Sequence, residues 1–188
     1  MADTASNMIP LQTKAPGFEL QDTVTGKMMT LDQLKGDKGT VIFFICNHCP
    51  FVIHVNEALV KIAGKYASQG FAFIAISSND IEKYPQDGPD LMRENAIQYN
   101  YPFPYLFDST QEVARAYAAA CTPDTYVFNE ELKLVYRGQI DDSRPGNNVP
   151  VTGKDLRTAL DDLLMGRSIA ELQKPSIGCG IKWIQNRL

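Results

Sequence analysis

The chain has 188 residues, 44% hydrophobic and 21% charged, with a formal net charge of −4 at neutral pH. Such a composition suits one globular domain whose core needs no covalent staples, and the acidic balance excludes nucleic acid or an anionic membrane surface as the main partner. No apolar run approaches the roughly 20 residues of a membrane-spanning helix.

From the N-terminus, "MADTASNMIPLQTKAP" carries neither the basic nor the apolar stretch of a secretory signal, so the expected location is cytoplasmic. Residues 1–13 read as a loose arm, 14–165 as the domain, and 166–188 as a tail packed upon it. "APGFEL" (15–20) and "TGKMMTLDQL" (25–34) suggest short strands around a glycine turn, then one helical turn at 31–34. "TVIFFI" (40–45) is apolar on both faces, as a central buried strand must be. From Pro50 the period changes: Val52, Val55, Leu59, Ile62, Ala63 and Tyr66 recur at helical spacing until Gly70. "FAFIAIS" (71–77) is a second buried strand, so 40–77 predicts two parallel strands joined by a right-handed helical crossover.

The stretch 78–90 is rich in loop formers and is where partner specificity is expected to lie. A helix is expected over 90–99, and an extended segment over 101–108 that Pro102 and Pro104 keep from being a long central strand. Ser109 and Glu112 have capping-box spacing for a helix reaching 119. Segments 125–129 and 133–140 pattern as a hairpin. Residues 152–165 form a final amphipathic helix with Leu156, Leu160, Leu163 and Leu164 on one face. The class is α/β.

Chemistry concentrates at "CNHC", Cys46 to Cys49, where the first buried strand passes into the first long helix. Free N–H groups and the positive dipole end of a helix stabilise an anion there, which favours the thiolate. The two-residue spacer lets the second sulfur close an intramolecular disulfide. Cys46, read as the more exposed, is expected to attack; Cys49, one position deeper, to resolve. His48, if protonated, would stabilise the Cys46 thiolate. A metal site from Cys46, His48, Cys49 and His54 is the competing reading, but such sites draw on a second ligand pair, and the chain has only these two histidines. His54 then reads as an ordinary helix residue.

Roughly 75 residues on, "ACTPDTYVF" places Thr122 and Pro123 just before a strand. With the CxxC junction, the "APGFELQD…GKMMTLDQLKGDKGTVIFF" opening and the final helix, this order resembles the thioredoxin superfamily, in its redoxin or alkyl hydroperoxide reductase/thiol-specific antioxidant branch, over about residues 14–165. The resemblance implies a thioredoxin-like fold: a central mixed sheet flanked by helices, with an N-terminal β extension and a C-terminal tail. It implies thiol–disulfide exchange at Cys46 and Cys49, a cis Pro123 facing the dithiol, and Thr122 offering backbone groups to an extended substrate. No cofactor or metal beyond the redox-active disulfide is implied; the partners are protein or small-molecule disulfides and a reducing thiol. Thiol peroxidase, an antioxidant activity, is the alternative. Peroxiredoxins carry Pro-x-x-x-Thr-x-x-Cys, and Ile42 and Cys46 stand at the proline and threonine positions if Cys49 is the reactive residue, Gly39 and Phe43 if Cys46 is. Arg115 and Arg137 fall in a helix and a hairpin strand, where no peroxide site is evident.

Cys121 reads first as a small buried hydrophobe, then as an auxiliary redox thiol. Cys179, between Gly178 and Gly180, invites the sharper expectation of a link to Cys121 or to the CxxC pair. The Gly-Cys-Gly tail resembles that of a peroxiredoxin-like group, which supplies no mechanism. Ile181 and Trp183 are expected to anchor it.

Overall fold

The computed structural model describes residues 3–185. Its strands and helices are, in chain order, β1 (Asp3–Ala5), β2 (Glu19–Asp22), β3 (Met28–Thr30), α1 (Leu31–Leu34), β4 (Gly39–Phe44), α2 (Pro50–Ala67), β5 (Phe71–Ser77), α3 (Pro89–Gln98), β6 (Tyr105–Phe107), α4 (Glu112–Ala116), β7 (Cys121–Thr122), β8 (Asp124–Asn129), β9 (Leu134–Arg137), α5 (Lys154–Leu164) and β10 (Ile177–Gly180). A 3-10 turn covers Pro85–Asp87. Among the described residues no helix is long and apolar enough to cross a membrane.

Seven strands make one mixed sheet in the order β3-β2-β6-β5-β4-β8-β9. At its centre β4 runs parallel to β5 and antiparallel to β8. Every residue of β4 is buried, because both faces are covered and successive side chains point to opposite sides. Val41 and Phe43 join Val52, Val55, Leu59 and Leu160 in one core; Ile42 and Phe44 join Tyr117, Tyr126 and Phe128 in the other. The elements follow the sequence reading here: β5 spans the expected 71–77 and α1 the expected turn at 31–34, where Thr30 and Gln33 add a capping box that the sequence reading did not name.

Two local expectations give way. Ser109 does not cap α4; Gln111 holds the cap position in left-handed backbone. The buried Asp108 carboxylate accepts the orphan N–H groups instead, from Val113 at 3.4 Å and Ala114 at 2.9 Å. The arm is not loose either. β1 pairs antiparallel with β10, and β10 with β7, in a separate three-stranded sheet. Ile181 is buried in the second core and Trp183 packs against it, under the Arg115 guanidinium at 4.6 Å.

Candidate active site

The β4 ladder reaches its end at Ile45, whose N–H still donates to Ile76. Cys46 therefore lies in the loop beyond the strand, and Cys49 is the N-cap of the 18-residue α2, with Pro50 at its first position. Pro there is favourable, since it lacks an N–H that would have no partner. Neither cysteine is the exposed one: Cys46 is 1% and Cys49 0% accessible. Across from them the Thr122–Pro123 peptide is cis. Thr122 meets both sulfurs, its hydroxyl 3.5 Å from Cys46 Sγ and its carbonyl 3.0 Å from Cys49 Sγ, which donates to it when protonated.

The two buried thiols bond one another and titrate as a pair that shares one proton. Their contacts to Thr122 differ: Cys49 donates to the carbonyl, an acceptor that would repel a thiolate, whereas Cys46 faces the hydroxyl, which can donate to one. The helix cap beneath the pair favours the anion.

His48 lies beside Cys46 and is anchored by Asp87. Its Nδ1 lies 2.7 Å from Asp87 Oδ2 and 4.0 Å from Cys46 Sγ. A carboxylate only accepts, so Nδ1 carries its proton toward Asp87, and the ring stacks on Tyr84 with centroids 5.3 Å apart. Asp87 is fully buried and also accepts from the Asn47 N–H at 2.9 Å, the His48 N–H at 3.4 Å and the Asn79 amide at 2.8 Å. Asn47 in turn donates to the Gln86 carbonyl at 2.9 Å and accepts from the Tyr105 hydroxyl at 3.1 Å. The 78–90 loop is therefore a scaffold that fixes the CNHC backbone. Asp87 and Tyr84 were not legible in sequence; only the fold brings them beside the dithiol.

His54 bonds Ser143 through Nε2 at 2.7 Å, so it does not complete a metal set with the cysteines. Asp87 takes that place: one ligand atom each of Cys46, His48 and Asp87 lie within 4.8 Å of one another. The histidine nitrogen concerned is the one already bonded to Asp87. Arg137 bonds Gln173, and with Arg115 over Trp183 neither arginine reaches the sulfurs.

Cys121 and Cys179 separate clearly. The Cys121 thiol turns to the Pro123 carbonyl at 3.6 Å, and burial, then Asp124, pushes its pKa up. Cys179 stands opposite Thr122 in the β10–β7 pair and packs in the same core as Cys46 and Cys49. That pairing also occupies the Thr122 backbone edge on which an extended substrate was expected.

A mixed sheet whose central strand leads into a cysteine pair at a helix cap, opposite a cis-proline, defines a thioredoxin-like fold. More particularly, the chain belongs to the AhpC/TSA family, whose model matches residues 11–137. It is 30% identical over 122 residues to thiol-disulfide oxidoreductase ResA of Halalkalibacterium halodurans, covering 65% of this chain and 64% of that one. The chain thus spans just under two thirds of the length of the curated relatives it matches. An uncharacterized conserved protein from Geobacillus kaustophilus superposes over 99% of this chain and 98% of its own, with a TM-score of 0.97 and 56% identity. The thioredoxin domain of a thiol-disulfide oxidoreductase from Bacteroides vulgatus, at 16% identity and a TM-score of 0.59 over 69% of this chain and 88% of its own, shares the fold alone.

Proposed function

We propose that the chain is a thiol–disulfide oxidoreductase working through a Cys46–Cys49 dithiol and disulfide. One observation carries this reading: both sulfurs converge on Thr122, beside the cis-proline, at the N-terminal cap of α2. The Cys46 thiolate attacks a substrate disulfide, forming a mixed disulfide and expelling one thiolate. Cys49 then attacks the Cys46 sulfur, giving up its proton and expelling the second. The substrate leaves as two thiols and the pair is left oxidised, to be restored by a reducing thiol.

Because β10 fills the strand edge at Thr122, a small disulfide, or one exposed on a protein surface, suits this site better than an extended peptide adding as a strand. Approach is over His48 and Phe51, which are only partly buried. With a small aromatic disulfide as substrate, Cys46→Ser is expected to reduce turnover to the uncatalysed rate. Cys49→Ser should release one thiol and then stall as a mixed disulfide seen by mass spectrometry. Wild-type turnover by Cys46→Ser would overturn the reading.

Peroxide reduction is a second reading, favoured by the Cys49-Pro50 step at the α2 cap. Oxidation of Cys49 by hydrogen peroxide in stopped flow, no faster than that of a free thiol, would remove it.

A further inference from the structure

Thr122 is the meeting point of three cysteines rather than two. Cys46 reaches its hydroxyl, Cys49 its carbonyl, and Cys179 faces it across the β10–β7 pair. Residues directly opposite in an antiparallel pair project from the same face, and neighbours along a strand from opposite faces. Cys179 and Thr122 therefore share the face turned to the dithiol. Cys121, its neighbour along the strand, projects from the other, with its thiol on the Pro123 carbonyl.

Gly178 makes this approach possible. A Cβ there would stand 2.1 Å from the Thr122 carbonyl oxygen and 3.2 Å from the Pro123 nitrogen, so only glycine lets the tail lie flat on the cis peptide. On the far side, Asp3 of β1 pairs with Cys179 and fixes it from behind. Cys49, with Cys46 to one side and Cys179 interacting from another, is the sulfur that both share.

We propose that Cys179 is a third exchanging thiol, which takes Cys49 from the Cys46–Cys49 disulfide and moves the oxidised bond to the tail. The Cys179 sulfur attacks Cys49 Sγ; the Cys49–Cys179 bond forms as the Cys46–Cys49 bond breaks. Cys46 leaves with the electron pair and takes up the proton that Cys179 loses, so no external oxidant or reductant is consumed. In the reduced protein Cys179 is held back, pushed up to about 12 by burial and by its contact with the Cys49 sulfur. Oxidation of Cys49 removes that second cause and leaves the lowering influence of Lys182 in place. The attack begins once the first disulfide exists.

This proposal rests on the dithiol reading, and one experiment separates the two. Wild type and Cys46→Ser are oxidised with one equivalent of diamide, which removes two electrons from a thiol pair, and their disulfides are mapped by non-reducing peptide mass spectrometry. Of the four cysteines, Cys46→Ser retains three; the expected result is a Cys49–Cys179 link that leaves Cys121 as the only free thiol. Wild type should yield the Cys46–Cys49 and Cys49–Cys179 peptides together, and Cys179→Ser only the former. Free Cys179 in oxidised Cys46→Ser, with Cys46–Cys49 intact in wild type, overturns the relay and spares the dithiol reading. A wild type that forms no Cys46–Cys49 bond brings down the dithiol reading itself. Should Cys46→Ser fold poorly, the wild-type map decides alone: absence of any Cys49–Cys179 peptide sinks the relay.

Discussion

The two sheets of this molecule are held in different ways. The seven-stranded sheet is stabilised by area: a central strand buried on both faces, with aromatic rings and aliphatic chains stacked above and below. The three-stranded sheet has hardly any core of its own. Its strands are three, four and two residues long, and it persists because a glycine permits contact and the register is right. Burial tolerates a change in shape of one side chain better than close backbone contact tolerates an added atom. One sheet gives the protein its stability, and the other positions a sulfur.

The largest test of that contrast lies in the first sheet. Phe43→Ala, at a fully buried position, is expected to cost about 3–5 kcal/mol, read by urea unfolding with all probes moving together. A loss below about 1 kcal/mol would mean that β4 is not the centre of the core.

Asp124, the first residue of β8, connects the two sheets. Burial raises its pKa from 3.8 to about 7, against the bonds it accepts from the Ala120 N–H and Tyr126. A carboxyl raised in the folded state binds its proton more tightly there than in the unfolded chain. Its contribution to stability is therefore complete below about pH 4 and is lost as pH rises to about 7. The loss is at most about 4 kcal/mol, at about 1.4 per pKa unit. Unfolding free energies measured between pH 4 and 8 should show this fall, and Asp124→Asn should flatten it; an unchanged slope in the variant would assign the effect elsewhere.

The smallest change in stability, and the most local, is expected from Gly178→Ala. Overpacking at the Thr122 carbonyl costs about 1–3 kcal/mol, directed at the small sheet. Iodoacetamide should then modify Cys49 roughly ten- to a hundredfold faster, with the far-UV circular dichroism unchanged. Equal rates in wild type and variant would show that the tail does not shield the dithiol.

The same contrast explains what the sequence could and could not disclose. β4, α2 and β5 were legible because their periodicity is local and their apolar runs carry the signal in themselves. The CNHC junction was legible because strand, thiols and helix are adjacent in the chain. Asp87 was not: a carboxylate in "SNDIEKYPQDGPD" looks like any loop acid until folding buries it under Asn47 and His48. Gln111 displaced Ser109 at the α4 cap because the Asp108 carboxylate competes for the same N–H groups. The pairing of Asp3 with Cys179 joins segments at opposite ends of the chain, and no pattern within either strand announces its partner.

The order in which this chain is made gives the β10–β7 pairing a further consequence. Synthesis runs from the N-terminus, and residues 39–137, which hold the dithiol, the cis-proline and the central strands, are complete before the strand that covers them exists. A nascent chain at that stage can form its large sheet with the edge beside Thr122 still open. Arrival of residues 177–180 is the last event that closes the site. Throughout that interval the Cys46–Cys49 pair is open to an extended polypeptide, including its own, in a way the finished protein does not allow.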